Sequence, residues 1–262
     1  MKFYFKLCSY FPYSLVPITR FLFGNSGEQY KIGFFKRLIL LYKIVRNWIF
    51  IDGATTWLEL LVLVQEVLNI NKQIQGDVIE LGCYKGRSSA TLSIACSMVG
   101  RKLIVCDSFQ GLPDPVHSEK KIYNLRYDRY VEYNTGEYIG TLAEVKQNIS
   151  RYGILDVCEF IPGFFENTLP TLQKKFVLVF EDSDLPSSLK TILKFIYPHL
   201  QNGCKFYTEE AQDFEIASLF FNDQWWNENL CMPSPGLVGA GIGLPLGPDG
   251  SGLAYTIKRT LS

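Results

Sequence analysis

The sequence predicts an α/β fold with a doubly wound, mainly parallel sheet of seven strands, preceded by an N-terminal helical extension. Short apolar runs alternate five times with segments of helical periodicity, and a terminal pair of strands follows. The run Phe176–Phe180 is almost continuously hydrophobic, as expected of a strand at the centre of a parallel sheet. We expect residues 1–52 to form the extension and residues 53–262 the main domain.

Composition narrows the class of protein. The chain has 262 residues, of which 47% are hydrophobic and 15% aromatic, and this argues against disorder. Residues 1–50 carry eight basic residues and one acid, Glu28, so the rest of this neutral chain is acidic. A basic head on an acidic body does not favour nucleic-acid binding by the main domain.

The cysteine pattern and the lengths of the apolar stretches indicate the cellular compartment of the protein. Seven cysteines without a Cys-x-x-Cys pair are typical of reduced thiols rather than of disulfides or a zinc site. The N-terminus lacks a clear signal-peptide cleavage site, and no window holds 18 uncharged apolar residues. We therefore expect a cytoplasmic protein.

The basic head contains one well-defined helical pattern. Residues 1–30 are aromatic-rich and are left unassigned, whereas residues 33–50 combine bulky apolar side chains with Lys and Arg at helical spacing. One interpretation is peripheral contact with a membrane. We favour the alternative, a helix packed on the domain or on a second subunit, and so expect a homodimer.

The segment from Gly76 to Ser89 reads as a buried strand, a glycine turn and a helix. Gly82 and Gly86 bracket the turn in the pattern Glu-x-Gly-x-x-x-Gly. Such a turn presents backbone N–H groups and a helix N-terminus at the carboxyl end of a strand, where open α/β sheets bind ligands. The spacing matches neither the dinucleotide nor the phosphate-loop fingerprint.

The other elements follow in order. Thr55 or Thr56 is suited to cap a helix that runs to about Leu68. The segment 108–138 is long, polar and aromatic, which is typical of a lid or binding loop. Further strands are expected at 102–106, 157–161, 176–180, 204–208 and 254–258, and helices at 141–152, 186–197 and 214–221, the last of them.

Acidic residues lie at the ends of four strands. They are Glu80, Asp107, Asp182 with Asp184, and Glu209 with Glu210. Because the carboxyl ends of parallel strands share one edge, we expect these carboxylates to converge on one crevice, with a ligand and a metal ion offsetting their repulsion. Hard oxygen ligands of this kind suit Mg²⁺ or Mn²⁺.

Asp107 has the position of a ribose-binding acid, because it ends the second strand, 25 residues after Gly82. That position suits a nicotinamide dinucleotide and S-adenosylmethionine equally. The first turn lacks the third glycine of the dinucleotide fingerprint, and hydride transfer does not need the later acidic pairs. The nicotinamide-dependent oxidoreductase is therefore the less favoured alternative.

Four motifs together resemble the macrocin-type (TylF-like) O-methyltransferases, which act on sugar hydroxyls of natural products. The motifs are Glu80-Leu-Gly-Cys-Tyr-Lys-Gly86, Asp107-Ser-Phe-Gln-Gly-Leu-Pro113, Pro162-Gly-Phe-Phe-Glu-Asn-Thr-Leu-Pro170 and Asp182-Ser-Asp184. The resemblance extends from about Trp57 to Glu210. It implies a class I, Rossmann-like methyltransferase fold with S-adenosylmethionine over the glycine turn.

The resemblance also implies roles for residues. Glu80 and Gly82 would hold the methionine end, Asp107 the ribose, and Ser108 with the Gly163-Phe164 turn the adenine side. Asp184 would be a metal ligand and the general base. The full implied cofactor set is Glu80, Gly82, Tyr84, Gly86, Ser88, Asp107, Ser108, Gly163, Phe164 and Asp182, and the implied Mg²⁺ ligands are Asp184, Glu209 and Glu210.

The resemblance predicts direct methyl transfer to a hydroxyl of a sugar or glycosylated natural product, with Mg²⁺ lowering the pKa of that hydroxyl. Glu209-Glu210 stands where the family usually has Asp-Asp. Glutamate is one methylene longer, and Mg²⁺ demands strict geometry. The alternative is a catalytically impaired protein of the same fold that acts as a binding or membrane-associated partner.

Overall fold

The central sheet has six strands within the part of the chain that the structure describes. The structure is a computed structural model and describes residues 2–247 and 250–259. The strands occur in the order β5-β2-β1-β6-β7-β8, and all neighbours are parallel except the antiparallel pair β7–β8. Their bounds are Asp77–Leu81 (β1), Leu103–Asp107 (β2), Cys158–Pro162 (β5), Phe176–Glu181 (β6), Leu200–Thr208 (β7) and Ala254–Ile257 (β8), and Lys121–Asn124 (β3) with Arg129–Glu132 (β4) forms a separate antiparallel hairpin.

The expectation of a seventh strand was wrong. The glycine-rich segment 237–243 before β8 pairs with β8 through an isolated bridge between Val238 and Tyr255 and forms no ladder with it. Gly239, Gly241 and Gly243 have φ values of 97°, 89° and 71°. Positive φ at alternate residues is incompatible with an extended strand, so the chain coils beside β8 instead of pairing with it.

The helices pack in two groups. Helices α2 to α5 contact one another in succession, and α6 and α8 each contact α7. Their bounds are Lys2–Phe23 (α1), Phe34–Phe50 (α2), Trp57–Asn69 (α3), Arg87–Val99 (α4), Leu142–Tyr152 (α5), Phe165–Thr168 (α6), Pro186–Ile196 (α7), Phe214–Leu219 (α8) and Asp223–Leu230 (α9). The helix α9 follows the one expected to be last.

The N-terminal extension is helical and packs on the main domain. Helix α1 contacts α2 and α3, and α2 contacts α3 and α4. The buried guanidinium of Arg37 donates to the carbonyl oxygens of Phe21 at 3.2 Å and Ile32 at 3.1 Å, which fixes the corner between the two helices. No helix in the described part of the chain is both long and apolar enough to cross a membrane.

The segment 108–138, expected to be a lid, contains the hairpin β3–β4. The hairpin is tied to the main domain by Asp213, whose carboxylate accepts from Asn124 Nδ2 at 2.8 Å and from the Tyr133 hydroxyl at 3.1 Å. Ser187 on α7 donates to Glu119 at 2.7 Å. These bonds hold the segment against α7 and α8.

The strand order reverses direction next to β1. From β1 the chain proceeds outward to β2 and β5 on one side, and later to β6 and β7 on the other. The strands β1 and β6 are buried apart from the half-buried first residue of β1, because helices cover the sheet. The reversal opens a crevice at the carboxyl ends of β1 and β6, which is where such sheets bind ligands.

Candidate functional site

A cavity of about 350 Å³ lies at the carboxyl ends of β1, β2 and β6. Eight of the residues predicted from the sequence line it. They are Gly82, Tyr84, Asp107, Ser108, Gly163, Phe164, Asp182 and Asp184. Glu80, Gly86, Ser88, Glu209 and Glu210 do not line it. The cavity therefore brings together most of the predicted cofactor residues and one of the three predicted metal ligands.

Gly82 is required where β1 and β6 end side by side. Its φ is +87°, and a Cβ at this position would lie 1.8 Å from the carbonyl oxygen of Asp182. The N–H of Gly82 donates to the Cys106 carbonyl at 2.9 Å, and the N–H of Asp182 donates to the Leu81 carbonyl at 2.9 Å. Only glycine permits this approach, which places the two strand ends on opposite sides of the cavity.

Asp107 is held rigidly at the end of β2. The N–H of Cys83 donates to Oδ2 at 2.7 Å, and the N–H of Phe109 donates to Oδ1 at 2.7 Å. Burial raises the pKa of this carboxyl, and the two N–H groups oppose that rise by stabilising the charge. Each oxygen keeps a second lone pair, so the carboxylate can still accept two hydroxyl groups.

Glu80 lies beneath the glycine turn rather than in the cavity. It is fully buried, its Oε2 accepts from the Ser89 hydroxyl, and its Oε1 has no hydrogen-bond partner among the described residues. Burial raises its pKa to about 8. Gly86 and Ser88 occupy the start of α4 beside it. Glu80, Gly86 and Ser88 therefore support the turn from the side that does not line the cavity.

The chain makes a strained turn after β6. The N–H of Leu185 donates to the carbonyl oxygen of Ser183 at 2.7 Å, which closes a γ-turn centred on Asp184, and φ at Asp184 is +62°. The N–H of Asp184 donates to Glu210 Oε1 at 3.0 Å. Strain of this kind persists where the surroundings enforce it, and it concentrates at functional sites.

The Asp184 side chain lines the cavity without a hydrogen-bond partner among the described residues. Burial raises the pKa of its carboxyl well above the ordinary value, and repulsion from Asp182 and Glu181 adds to the rise. Burial and the neighbouring Glu181 likewise raise the pKa of Asp182 to about 7. Asp184 is thus a comparatively basic carboxyl whose oxygens are free to accept a proton.

Glu210 holds the turn at Asp184 from below. Its Oε1 accepts from the N–H of Asp184, and its Oε2 accepts from the Thr208 hydroxyl at 3.0 Å. The side chain is buried, and burial raises its pKa well above the ordinary value. The extra methylene of glutamate lets it reach back to these two donors, so Glu210 supports the turn.

Glu209 points away from its neighbour. A Cβ built on Gly252 would lie 3.1 Å from its Oε1, and its buried Oε2 has no hydrogen-bond partner among the described residues. Burial raises its pKa well above the ordinary value, and the nearby carboxyl of Glu59 adds to the rise. Glu209 therefore lies toward Gly252 and Glu59, whereas Glu210 contacts Asp184 and Thr208.

The predicted Mg²⁺ ligands do not form a metal site in this arrangement. Asp184 lines the cavity, Glu210 is occupied by two donors, and Glu209 lies toward Glu59. In the described ranges, no group of three or more His, Cys, Asp or Glu side chains is arranged to hold a metal ion. The three residues as they stand do not fit the ion.

Several cavity residues were not foreseen. Asp52 and Gly53, read from the sequence only as a break, line one side, and Asp52 accepts from the Tyr84 hydroxyl at 3.2 Å. Glu137 and Tyr138, from the end of the segment 108–138, line another. The remainder are Ala54, Gly111, Leu112, Pro113, Phe165, Glu166, Ser183 and Ser188. Six of these eight lie in the quoted motifs, namely Gly111, Leu112, Pro113, Phe165, Glu166 and Ser183, and Glu137 and Tyr138 belong to the segment that was expected to be a lid or binding loop.

The lining fits a nucleoside that carries a charged tail. Asp107 offers a carboxylate for two ribose hydroxyls, and Phe164 offers an aromatic surface for a base. The aromatic rings of Tyr84 and Tyr138 meet edge to face, with centroids 6.1 Å apart. Asp184 shares this space, so a group bound there lies near an unpaired carboxyl. This donor set suits S-adenosylmethionine.

Solved structures share this fold. The O-methyltransferase NovP superposes with a TM-score of 0.61 at 20% sequence identity, covering 80% of this chain and 84% of NovP. The calicheamicin methyltransferase CalS11 superposes with a TM-score of 0.57 at 16% identity, covering 85% and 92%. At these identities the likeness shows a Rossmann-like methyltransferase fold and nothing about substrates.

Two curated proteins are similar in sequence. The mycinamicin III 3''-O-methyltransferase of Micromonospora griseorubida is 31% identical over 141 residues, which are 50% of this chain and 53% of that protein. The 8-demethyl-8-(2,3-dimethoxy-alpha-L-rhamnosyl)-tetracenomycin-C 4'-O-methyltransferase of Streptomyces olivaceus is 33% identical over 135 residues, 50% and 51% of the two chains. The chain thus spans about half the length of the curated relatives it matches.

The family comparison covers the site. The model of the family described as Macrocin-O-methyltransferase (TylF) matches residues 53–217. That range includes β1 to β7, the glycine turn and every lining residue except Asp52. It also confirms the resemblance drawn from the four sequence motifs. The chain therefore belongs to the TylF macrocin O-methyltransferase family.

Proposed function

We propose that this protein transfers the methyl group of S-adenosylmethionine to a hydroxyl group of a sugar or of a glycosylated natural product. One observation carries the proposal: Asp107 and the unpaired carboxyl of Asp184 line the same cavity, at the end of a glycine turn between parallel strands. Family membership and the O-methyltransferase names of the curated relatives support the reaction class.

Each lining residue would have a role that follows from its position in the cavity. Asp107 would accept the two ribose hydroxyls, Gly82 would let the ligand approach the backbone, and Ser108 with the Gly163-Phe164 turn would border the base. S-adenosylmethionine would supply an electrophilic methyl group. The cavity would then accelerate transfer mainly by holding acceptor oxygen and donor in line.

Asp184 would take the proton of the acceptor hydroxyl. Its carboxyl has no competing hydrogen bond among the described residues, and its raised pKa makes it a stronger base than an exposed aspartate. Glu210 would keep the carboxyl in place through the N–H of Asp184. The proton would leave the hydroxyl for a carboxylate oxygen of Asp184 while the methyl carbon exchanges its bond to the sulfonium sulfur for a bond to the hydroxyl oxygen, so that S-adenosylhomocysteine would leave.

The acceptor class rests on the relatives. The names of two of them specify methylation at numbered positions of glycosylated antibiotics. The cavity suits a polar acceptor, because Glu137, Glu166 and Ser188 line it beside aromatic rings. We include no metal ion in this mechanism, since Asp184, Glu209 and Glu210 do not converge.

Calorimetric titration with S-adenosylhomocysteine tests the proposal. We expect binding to the full chain, weakened at least tenfold by Asp107→Asn because one hydrogen-bonded carboxylate oxygen is replaced by an amide donor. The exposed Asp114, in the same loop but outside the cavity lining, provides the control Asp114→Asn, which should bind as the wild type does. Absence of binding to the wild type, or equal binding by all three proteins, would contradict the proposal.

A further inference from the structure

Helix α2 has two apolar faces, and only one of them is covered. The inner face, which includes Leu40 and Ile44, is buried against the domain. On the opposite side of the helix are five exposed side chains, here called the outer face: Phe35, Leu38, Ile39, Tyr42 and Ile49. Phe35 is 77% exposed and Tyr42 67%. A contiguous exposed apolar patch of this size marks a docking surface.

An aromatic corner extends this surface toward α1. The rings of Phe23 and Phe34 lie 5.3 Å apart, and those of Phe34 and Phe35 lie 5.6 Å apart. Phe23 is 73% exposed. Aromatic side chains of this kind are favoured at the boundary between apolar and aqueous phases.

The charge around the outer face has one sign. Between Glu28 and Asp52 the sequence contains five basic residues and no acidic residue. Lys36 and Lys43 flank the outer face on α2, and neither forms an ion pair among the described residues. A surface that combines exposed Phe, Leu, Ile and Tyr with unopposed lysines is complementary to an anionic lipid interface.

A second copy of the chain fits this face less well. A two-fold contact uses the same surface on both partners, so it would bring two sets of Lys36 and Lys43 together. Neither α1 nor α2 contains a carboxylate to oppose them. An anionic membrane surface satisfies the apolar side chains and the lysines at once.

We infer that α2, with the aromatic corner of α1, docks this protein on the surface of an anionic membrane. The helix lies along the interface with its outer face among the headgroups. Its last residue, Phe50, is two residues before Asp52, which lines the cavity. The docked face is therefore within roughly 10 Å of chain from the cavity rim. The inference stands independently of methyl transfer.

Vesicle flotation of the full chain tests the inference. We expect binding to phosphatidylcholine vesicles that contain phosphatidylglycerol, weaker binding to phosphatidylcholine alone, and loss of binding as salt increases. The double variant Lys36→Gln/Lys43→Gln should reduce binding to the anionic vesicles roughly twentyfold, because each basic residue near such a surface contributes about fivefold. Phe35→Ser/Tyr42→Ser should abolish it.

Matched variants elsewhere on the surface provide the controls. Lys190→Gln/Lys194→Gln on α7 and Phe214→Ser/Phe221→Ser change exposed lysines and exposed phenylalanines outside α1 and α2, and both should bind as the wild type does. Circular dichroism checks that each variant is folded. No binding to either vesicle, or equal loss in test and control variants, overturns the inference. A second result would also overturn it: the wild type does not bind vesicles but forms a dimer in light scattering, and Phe35→Ser/Tyr42→Ser dissociates that dimer.

Discussion

The two halves of the cavity edge differ in how directly their acidic residues face the ligand space. On the β1–β2 side, Asp107 ends a strand and points into the cavity, braced by two backbone N–H groups. On the β6–β7 side, only Asp182 and Asp184 line it, whereas Glu209 and Glu210 lie outside it. The first side is therefore a binding surface, whereas the second combines a half-buried base, Asp184, with the buried side chain of Glu210 that supports it.

The position of a residue near the end of a strand does not determine the direction in which its side chain points. Glu80 is the penultimate residue of β1, two residues before Gly82, yet its carboxyl accepts from the Ser89 hydroxyl and does not line the cavity. Glu209 and Glu210 are adjacent in sequence, yet Glu209 lies toward Glu59 whereas Glu210 accepts from the N–H of Asp184. Substitutions at Asp184, Glu80, Glu210 and Glu209 test this difference between the two sides.

The largest effect is expected at Asp184. Asp184→Asn removes the only proton acceptor proposed in the cavity, so kcat should fall about 10²- to 10⁴-fold. Affinity for S-adenosylhomocysteine should stay within about threefold, because Asp107 is untouched. Burial raises the pKa of Asp184, so the wild-type rate should increase with pH until that raised pKa is passed. An equal loss of cofactor affinity would place Asp184 in binding instead.

The next effect concerns stability at Glu80. Its pKa is about 8 in the folded protein against 4.5 ordinarily, so the folded state retains a proton that the unfolded state releases. Wild-type stability should therefore fall as pH rises from about 4.5 to about 8. Glu80→Gln should become more stable than the wild type by up to about 5 kcal/mol over that window.

Urea unfolding at a series of pH values measures this difference. Near pH 4 the two proteins should be alike, since Glu80 is then protonated in both states and Gln keeps an acceptor for Ser89. A stability difference that does not change with pH would show that Glu80 is not buried in a raised-pKa environment.

A smaller loss is expected when Glu210 is truncated. Glu210→Ala leaves the N–H of Asp184 and the hydroxyl of Thr208 without their acceptor, which should cost about 2–3 kcal/mol of unfolding free energy. Glu210→Gln should cost less, because the amide oxygen still accepts the N–H of Asp184. The exposed Glu228 gives the control Glu228→Ala, with little change expected in denaturant midpoint.

The smallest effect is expected at Glu209. Burial and Glu59 raise the pKa of Glu209, so near pH 4 this carboxyl is largely protonated in the folded and the unfolded protein, and there Glu209→Gln should change the unfolding free energy by less than about 1 kcal/mol. Thermal unfolding with and without Mg²⁺ checks this together with metal binding. If Mg²⁺ stabilises the wild type and Glu209→Gln removes that stabilisation, Glu209 belongs to a metal site. That result would contradict the difference described between the two sides of the cavity.

The sequence predicted the parts of the fold that follow from local chemistry. The glycine turn at Gly82 and the hydrophobic run of β6 both appear where expected. The hairpin β3–β4 was missed because its short strands are mostly polar and exposed, and its position depends on a distant residue, Asp213. Helix α1 was left unassigned because Pro12 and Pro17 disfavour a helix in the sequence pattern, although α1 runs through both.

The site residues also divide into those that a local pattern predicts and those whose position depends on tertiary packing. Asp107 was predictable because strand position and the ribose spacing agree on one role. Tyr138 belongs to the segment 108–138, which the sequence indicated as a lid or binding loop, but its left-handed φ of 57° and its place in the lining follow from no local pattern. The separation of Glu209 from Glu210 depends on their packing against Glu59 and Asp184, which are far apart in sequence.

A crystal structure of the full chain with S-adenosylhomocysteine, grown in the presence of Mg²⁺, tests the central claim most directly. We predict that the ribose hydroxyls lie within hydrogen-bond distance of Asp107. We also predict that Asp184 faces the side from which the methyl would leave, with Glu210 still bound to the N–H of Asp184. A ribose bound away from Asp107, or a Mg²⁺ ion shared by Asp184, Glu209 and Glu210, would contradict the account.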